Sequence, residues 1–175
     1  MMSFYIAAAV VCILLSAFFS ASEMAYSSCN LLRLENLRDE GDRRAAAAVK
    51  IAGRFDDALS AILIGTNIVH ISVAALVTLA VTRRWGLGAV SVSTLITTGV
   101  VFYFGEMLPK SIAKKYSDKL ALATASLLVF FMKLFRPASR LLTAIGQAAA
   151  RLTPGDAEKS VTEDELYDII EDMTE

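Results

Sequence analysis

The stretch "WGLGAVSVSTLITTGVVFYFGEMLPK" (residues 85–110) joins a long uncharged run to an acidic residue and a proline. Residues 85–105 contain no charged side chain, and about 20 such residues are enough to cross the ~30 Å hydrocarbon core of a bilayer. Glu106 follows at once, and Pro109 and Lys110 come shortly after it. The run predicts a membrane-spanning helix that ends in a carboxylate and a helix breaker, a costly combination unless the carboxylate has a function.

The rest of the chain is also rich in apolar residues. Of its 175 residues, 55% are hydrophobic, and the mean hydropathy of +0.54 is too high for an ordinary soluble domain. Residues 1–22 and 58–82 are further uncharged runs of spanning length, whereas the run 120–132 is too short to cross alone. The first run lacks a positively charged start, so it predicts a retained span and not a cleaved signal peptide. We expect an all-α membrane protein with three transmembrane helices.

Lysine and arginine are distributed unevenly between the predicted loops. Only Arg83 and Arg84 lie between the second and third spans, whereas the segments after the first and third spans are strongly basic. The basic residues of those two segments are Arg33, Arg38, Arg43, Arg44, Lys50 and Arg54, and then Lys110, Lys114, Lys115 and Lys119. Because positive residues collect on the cytosolic side, we expect the N-terminus outside and the C-terminus in the cytosol of a plasma (inner) membrane.

The segments outside the spans predict short helices. Residues 31–52 and the region after the third span are amphipathic with basic polar faces, which is typical of a belt of helices along the cytosolic interface. For 31–52, a cytosolic helical hairpin is an equal alternative. Pro137 is expected to divide the later region into two helices. Residues 153–160 predict a linker, and residues 162–175 predict an acidic helix that packs on a partner.

Each predicted span carries polar residues on one face at helical spacing. Polar groups in hydrocarbon tend to face a protein interior or a solute pathway. The stripes are Ser16, Ser20, Glu23 and Ser27; then Ser60, Asn67, Ala74 and Thr78, with His70 near the edge; then Ser91, Thr94, Thr98 and Gly105. At a rise of about 1.5 Å per residue, Ser20, Asn67 and Glu106 all reach the cytosolic half of the membrane, which permits a single site.

Pro109 suggests how a binding site arises at the end of the third span. It lacks the amide that would bond the carbonyl of Gly105, so we expect this oxygen to be free. Together with oxygen atoms from three side chains, this carbonyl oxygen would form an all-oxygen ligand set, which suits hard cations such as Mg²⁺, Ca²⁺ or Na⁺. The side chains that would supply these oxygen atoms are Glu106, Asn67 and Ser20, with Ser16 as a further candidate.

Each of these residues also has a structural alternative. Pro109 could simply end a helix while Glu106 pairs with Lys110 one turn later. The serines could allow close helix packing or bond to their own backbone. Asn67 could form an interhelical hydrogen bond, and His70 could be a packed histidine instead of a proton relay.

Three motifs, in this order, resemble the transmembrane domain of the cyclin M and CorC family of magnesium transporters. They are "FFSASEMAYSS" (18–28), "ILIGTNIVHI" (62–71) and "FGEMLPKSIAKKY" (104–116). The resemblance implies a transmembrane domain over residues 1–152, a linker and the start of an acidic helical bundle over 153–175, and a homodimer. It also implies a later pair of CBS domains that bind ATP, which this chain would lack as a truncated piece.

The resemblance further implies a largely dehydrated Mg²⁺ between the spans. Its ligands would be Ser20, with Ser16 less certain, together with Asn67, the carbonyl of Gly105, and Glu106. The chain departs from the family pattern in the second motif, where Thr66 and His70 stand in place of two asparagines. These two residues and Glu23 are therefore candidate modulators of the site, and Pro109 is expected to kink the third helix.

We predict from these observations a Mg²⁺ transporter that works by efflux, with coupling to Na⁺ left open. The alternative is a non-transporting membrane scaffold that docks a cytosolic partner through its acidic helix. An intramembrane hydrolase would need a nucleophile and a base, and His70 with a span serine is the only candidate pair. No oxyanion-hole motif accompanies that pair, so we predict no enzyme. The expected partners are Mg²⁺, the bilayer and a second subunit, and no nucleic acid.

Overall fold

The structure, a computed structural model, describes the backbone of residues 2–152 and the side chains of residues 2–141. The predicted linker and acidic helix, residues 153–175, lie outside the described residues. The chain divides into two compact units, of which the first is Met1–Ser139 and the second begins at Arg140. The helices that carry the candidate site belong to the first unit.

The described backbone is almost entirely helical and contains no strand, which confirms the predicted all-α class for this part of the chain. A 3₁₀ turn, Leu87–Ala89, precedes the fifth helix, and a π-helical segment, Val101–Met107, follows it. In chain order the helices are α1 (Met2–Ser28), α2 (Leu31–Asp39), α3 (Arg43–Ala52), α4 (Phe55–Trp85), α5 (Val90–Val100), α6 (Leu108–Lys115) and α7 (Ser117–Leu152).

The described helices include four stretches that are long and apolar enough to cross a membrane. Three of them overlap the predicted spans, and the fourth contains the run 120–132. That run continues as helix on both sides, and Lys133 and Arg136 can extend their charges towards water while their stems stay in apolar surroundings. The predicted number of three spans is therefore not confirmed. The four stretches are Met2–Ser28, Phe55–Trp85, Leu87–Lys115 and Ser117–Leu141.

The prediction that Pro137 divides the last region into two helices is wrong. Helix α7 continues from Ser117 to Leu152 with Pro137 inside it. A proline removes one intrahelical hydrogen bond and crowds the preceding turn, but a long helix can absorb this as a kink. The single proline is therefore not enough to end the helix here.

Helices α2 and α3 form within the segment predicted for two short helices. Asn30 caps α2, since its side chain accepts from the amide of Arg33 at 3.1 Å. Asp42 caps α3 by accepting from the amide of Arg44 at 2.7 Å. The turn between the helices needs Gly41, whose φ of 96° is unfavourable for other residues. The location of these helices at a membrane interface stays a prediction.

Helix α1 occupies the middle of the bundle and contacts α4, α6 and the π-helical segment. Phe19 of α1 is 1% exposed and covers Gly65 of α4 so closely that a methyl group on Gly65 would collide with the ring. Phe131 of α7 meets Phe19 edge-on, with ring centroids 4.9 Å apart. Tyr26 donates to the carbonyl of Ala121 in α7 at 2.8 Å. These contacts fix the rotation of α1 about its own axis.

Candidate metal site

Ser16 marks the point where three parts of the chain meet. Its side chain is fully buried in α1, and its Oγ donates to the carbonyl oxygen of Gly105 in the π-helical segment at 3.2 Å. The same Oγ lies 2.8 Å from Nε2 of His70 in α4. One serine hydroxyl therefore connects three segments that all belong to candidate membrane-spanning stretches.

The two contacts of Ser16 fix the direction of each hydrogen bond. A carbonyl oxygen only accepts, so the single hydroxyl proton points at Gly105. With its proton on that bond, Ser16 Oγ accepts from Nε2 of His70, which requires a proton on this ring nitrogen. A histidine that donates to a serine does not act as its base. The pair thus lacks the hydrogen-bond polarity that a serine nucleophile requires.

The π-helical segment carries both ligands predicted for the third span, Gly105 and Glu106. At its end, the amide of Leu108 bonds to the carbonyl of Tyr103, five residues earlier. A π-helical turn is wider than an α-helical turn, displaces carbonyls from their regular positions, and is frequent at functional sites. The backbone is therefore irregular at the level where the sequence predicts a cation site.

Pro109 lies in the first turn of α6, where a missing amide is well tolerated. The helix runs from the π-helical segment into α6, so the disturbance near Pro109 is a wider turn before the proline and not a break. The carbonyl of Gly105, which was expected to be free, accepts the hydroxyl of Ser16.

Gly105 has no room for a side chain. A Cβ atom at this position would lie 2.9 Å from Oγ and 3.2 Å from Cβ of Ser16. Its backbone is therefore close enough to α1 for a serine hydroxyl to reach its carbonyl oxygen. The glycine explains the direct contact between α1 and the π-helical segment at this point.

Glu106 is the only carboxylate in the predicted ligand set, and it shares a lysine with a second carboxylate. Its Oε1 lies 3.4 Å from Nζ of Lys110, and Oε2 of Glu23 in α1 lies 3.2 Å from the same Nζ. The side chains of Glu106, Lys110 and Glu23 are 36%, 28% and 32% exposed, so all three are partly withdrawn from solvent. The predicted pairing of Glu106 with Lys110 is present and extends to α1.

Asn67 lies apart from the other predicted ligands. It is on an exposed side of α4, and its side-chain amide donates to the carbonyl of Leu63 in the same helix at 2.8 Å. Within the described part of the chain, Asn67 makes no hydrogen bond to another predicted ligand. Its neighbour Thr66 is half-buried. Asn67 would have to change its side-chain rotamer, or the helices would have to move, before it met a shared cation.

The predicted ligands thus do not all lie together in the structure. It brings Ser16 and Gly105 into direct contact and places Glu106 on the next residue of the same segment. Ser20, one turn after Ser16 on α1, is 2% exposed. We refer to these four predicted ligands, which lie on α1 and the π-helical segment, as the half-site, and Asn67 lies apart from them.

A cavity of about 270 Å³ lies on the side of the π-helical segment that faces α4. Its walls combine apolar side chains with threonine hydroxyls, and both Glu106 and His70 contribute to it. Two threonines of the predicted third-span stripe, Thr94 and Thr98, are among the residues that line it: His70, Val73, Ala74, Val77, Thr78, Thr94, Thr97, Thr98, Val101, Phe102 and Glu106.

The ligand atoms available at the half-site restrict which cations it suits. Across the described residues, no three His, Cys, Asp or Glu side chains come together as a metal site. A cation here would therefore depend on hydroxyl and backbone carbonyl oxygens, with Glu106 supplying charge. Such a set favours hard cations such as Mg²⁺ over metals that prefer thiolate or imidazole ligands.

Three features of the site were missed by sequence reasoning. The π-helical segment has no pattern of its own in the sequence, although Gly105 and Pro109 indicate a weak point in the helix. The hydrogen bond between His70 and Ser16 depends on the orientation of α1 and α4 about their own axes. The pairing of Lys110 with Glu106 has a signal in their spacing, but its extension to Glu23 has none.

The chain is similar to known membrane proteins over most of its length. A family model described as the cyclin M transmembrane N-terminal domain matches residues 7–175. A UPF0053 protein of Haemophilus influenzae is 31% identical over 95% of this chain, and the UPF0053 inner membrane protein YfjD of Escherichia coli is 36% identical over 79% of it. A protein of Haemophilus influenzae named polyamine export protein is 25% identical over 95% of the chain.

The chain spans less than half the length of these relatives: 40% of the first, 32% of the second and 42% of the third. The match of the family model covers nearly the whole chain and includes the half-site and the candidate membrane-spanning helices. The chain therefore belongs to the cyclin M transmembrane domain family and is a membrane protein of that family.

Proposed function

We propose that the chain transports Mg²⁺ across the plasma (inner) membrane, in the direction of export and as a homodimer. The observation that carries the proposal is the contact of Ser16 with Gly105 beside Glu106, in an irregular turn between apolar helices. Irregular backbone at membrane depth is tolerated where it lines a cavity or binds an ion. We propose that this export is coupled to the entry of Na⁺.

The half-site supplies the kinds of atoms that Mg²⁺ prefers. Mg²⁺ takes oxygen ligands at about 2.0–2.1 Å and gives up its water reluctantly, so several protein oxygens must replace that water together. Ser16 and Gly105 offer two oxygens that are already in contact, and Glu106 offers a carboxylate. For both oxygens to face the ion, the hydroxyl proton of Ser16 has to turn away from Gly105, with Ser20 and Asn67 completing the set.

The arrangement in the membrane follows from charge and polarity. The excess of lysine and arginine after the first and third predicted spans supports a cytosolic C-terminus. Helix α5 has no buried residue, although it carries the hydroxyl groups of Thr94 and Thr98. Polar groups at membrane depth tend to face protein or water, so this surface supports a second subunit or an aqueous pathway.

A second candidate is the export of an organic polycation. One relative is named polyamine export protein. The cavity beside Glu106 has apolar walls that would suit methylene groups and threonine hydroxyls that would accept from ammonium groups. A polyamine would therefore place one charged end at Glu106 and its chain along the valines of α4. This candidate uses the same carboxylate as Mg²⁺, so the two cations should compete.

The proposal is tested by ion flux from vesicles that contain the chain. Vesicles are loaded with Mg²⁺ and an internal indicator dye, and loss of Mg²⁺ is followed for the wild type, Glu106→Gln and Glu35→Gln. Glu35 is a partly exposed glutamate of α2 and serves as the matched control. We expect flux in the wild type and Glu35→Gln and none in Glu106→Gln. Equal leakage from all vesicles, with or without protein, would favour the scaffold. In vesicles that are loaded with spermidine as well, loss of spermidine but not of Mg²⁺ would favour the polycation.

A further inference from the structure

The ammonium group of Lys110 lies between two carboxylates from different segments. Its Nζ is 3.2 Å from Oε2 of Glu23 in α1 and 3.4 Å from Oε1 of Glu106 in the π-helical segment. Lys114, one turn later on α6, forms no ion pair with any described carboxylate. The bridge therefore belongs to position 110 and is not a general property of this basic helix.

The ammonium group of Lys110 lies next to the carboxylate oxygen of Glu106 that a transported cation would bind. Glu106 is the charged member of the half-site, and its Oε1 is engaged by Lys110 in the conformation described. A lysine ammonium is a compact charge on a flexible stem of four carbons, so it can leave without any movement of the backbone. Lys110 therefore has the position and the freedom of a tethered competitor for the cation.

The charges at the bridge distinguish divalent from monovalent ions. Two carboxylates and one ammonium leave one negative charge uncompensated. A divalent cation that displaces the ammonium would compensate both carboxylates, whereas a monovalent cation would leave the charge as it was. The monovalent ion must also compete with a group that its tether holds at a high effective concentration. Displacement of Lys110 is thus favourable for Mg²⁺ and unfavourable for Na⁺.

We propose that Lys110 is a specificity-determining residue, whose ammonium bridges Glu23 and Glu106 until a divalent cation displaces it and which thereby excludes monovalent cations. The inference rests on the proposed function, because it takes Glu106 as the carboxylate that meets the transported ion. When the ion leaves, the ammonium returns to the two carboxylates. A coupling Na⁺ would bind elsewhere or in another conformation.

The test is Mg²⁺ binding by calorimetry at increasing concentrations of Na⁺. Lys110→Met removes the charge and keeps most of the side-chain length, Lys110→Arg keeps the charge, and Lys114→Met is the matched control. We expect Lys110→Met to bind Mg²⁺ about fivefold to tenfold more tightly at low salt, which is the effect of removing a partly buried competing charge. We also expect Na⁺ to weaken Mg²⁺ binding more strongly in Lys110→Met than in the wild type, Lys110→Arg or Lys114→Met.

Amine labelling of the wild type gives a second readout that needs no variant to fold. If Mg²⁺ displaces the ammonium, modification of Lys110 by an amine-specific reagent, measured by mass spectrometry, should become faster when Mg²⁺ is added. Labelling of Lys114 should not change. A structural ion pair would show no dependence on Mg²⁺ at either position.

The outcomes separate this inference from the function on which it rests. If the wild type binds Mg²⁺, while Lys110→Met binds it more weakly with unchanged sensitivity to Na⁺, Lys110 is only structural and the inference is overturned. Unchanged labelling of Lys110 in the presence of bound Mg²⁺ would overturn it as well. If the folded wild type binds no Mg²⁺, the proposed function fails, and the inference fails with it.

Discussion

The hydroxyl of Ser16 reaches the carbonyl oxygen of Gly105 at 3.2 Å, although the two residues are 89 positions apart in the sequence. The contact joins the middle of α1 to the π-helical segment and is possible because residue 105 has no side chain. It also leaves Glu106, the next residue, beside the junction. This relationship carries the proposed cation site.

Gly105→Ala should disrupt the junction. The added methyl group would lie 2.9 Å from Oγ and 3.2 Å from Cβ of Ser16, so α1 and the π-helical segment would have to separate. We expect Mg²⁺ binding to be lost and the free energy of unfolding to fall by about 1–3 kcal/mol, the usual cost of overpacking. Gly99→Ala is the control, because no atom lies within 4 Å of its Cβ position. Calorimetric Mg²⁺ binding and thermal unfolding measure the two effects, and unaltered binding in Gly105→Ala would contradict the geometry.

Gly65→Ala should destabilise the contact of α1 with α4 without touching the half-site directly. A methyl group there would collide with the ring of Phe19, which is buried and has little freedom to move. We expect the free energy of unfolding to fall by about 1–3 kcal/mol. Gly53→Ala meets only the carbonyl of Val49 at 3.5 Å and should have little effect. Thermal unfolding of both variants in the same detergent tests this, and equal melting temperatures would argue against the packing described.

Ser16→Ala should leave one buried and one partly buried polar group without their partner. The Nε2–H of His70 and the carbonyl of Gly105 both lose the hydroxyl, and an unpaired buried polar group costs about 1–3 kcal/mol. We expect lower thermal stability and weaker Mg²⁺ binding. Ser27→Ala is the matched control on the same helix, since Ser27 is exposed and its Oγ bonds only within its own helix. A Ser16→Ala protein as stable as Ser27→Ala would show that the junction contributes nothing.

Cys29 should react slowly with alkylating reagents at neutral pH. Burial raises the pKa of its thiol above the ordinary value, and the charge of Asp118 raises it further. A raised pKa leaves less thiolate, the reactive form, at any pH below it. We expect the rate in a Cys12→Ala background to keep rising with pH beyond the range of an ordinary thiol, and Asp118→Asn to react faster at neutral pH. A rate equal to that of a small free thiol across the pH range would be the contrary result.

Most of the helices could be predicted because they depend on local sequence. Uncharged runs give the length of a membrane-spanning helix, and the rise per residue gives the depth of Glu106 relative to Lys110. Ser16 and Gly105 could both be named as candidate ligands, since each lies on the polar stripe of its own span, but their direct contact could not. These inferences need no knowledge of which helices are neighbours.

The remaining features depend on tertiary structure, which periodicity does not contain. The stripe of α4 includes Asn67, but the rotation of α4 against α1 brings His70 to Ser16 and leaves Asn67 exposed. The second partner of Lys110 lies on another helix, so spacing along α6 could not reveal it. Pro137 lies inside α7 although the local rule predicts a break there.

The most direct test of the central claim is calorimetric titration of the folded wild-type chain with Mg²⁺, beside Glu106→Gln and Glu35→Gln. Glutamine keeps the size of the side chain and removes the charge that the proposed site needs, while residue 35 lies on α2 away from the half-site. The account predicts saturable Mg²⁺ binding in the wild type and Glu35→Gln, and none in a folded Glu106→Gln. Binding of equal affinity in all three proteins, or no binding to the folded wild type, would contradict it.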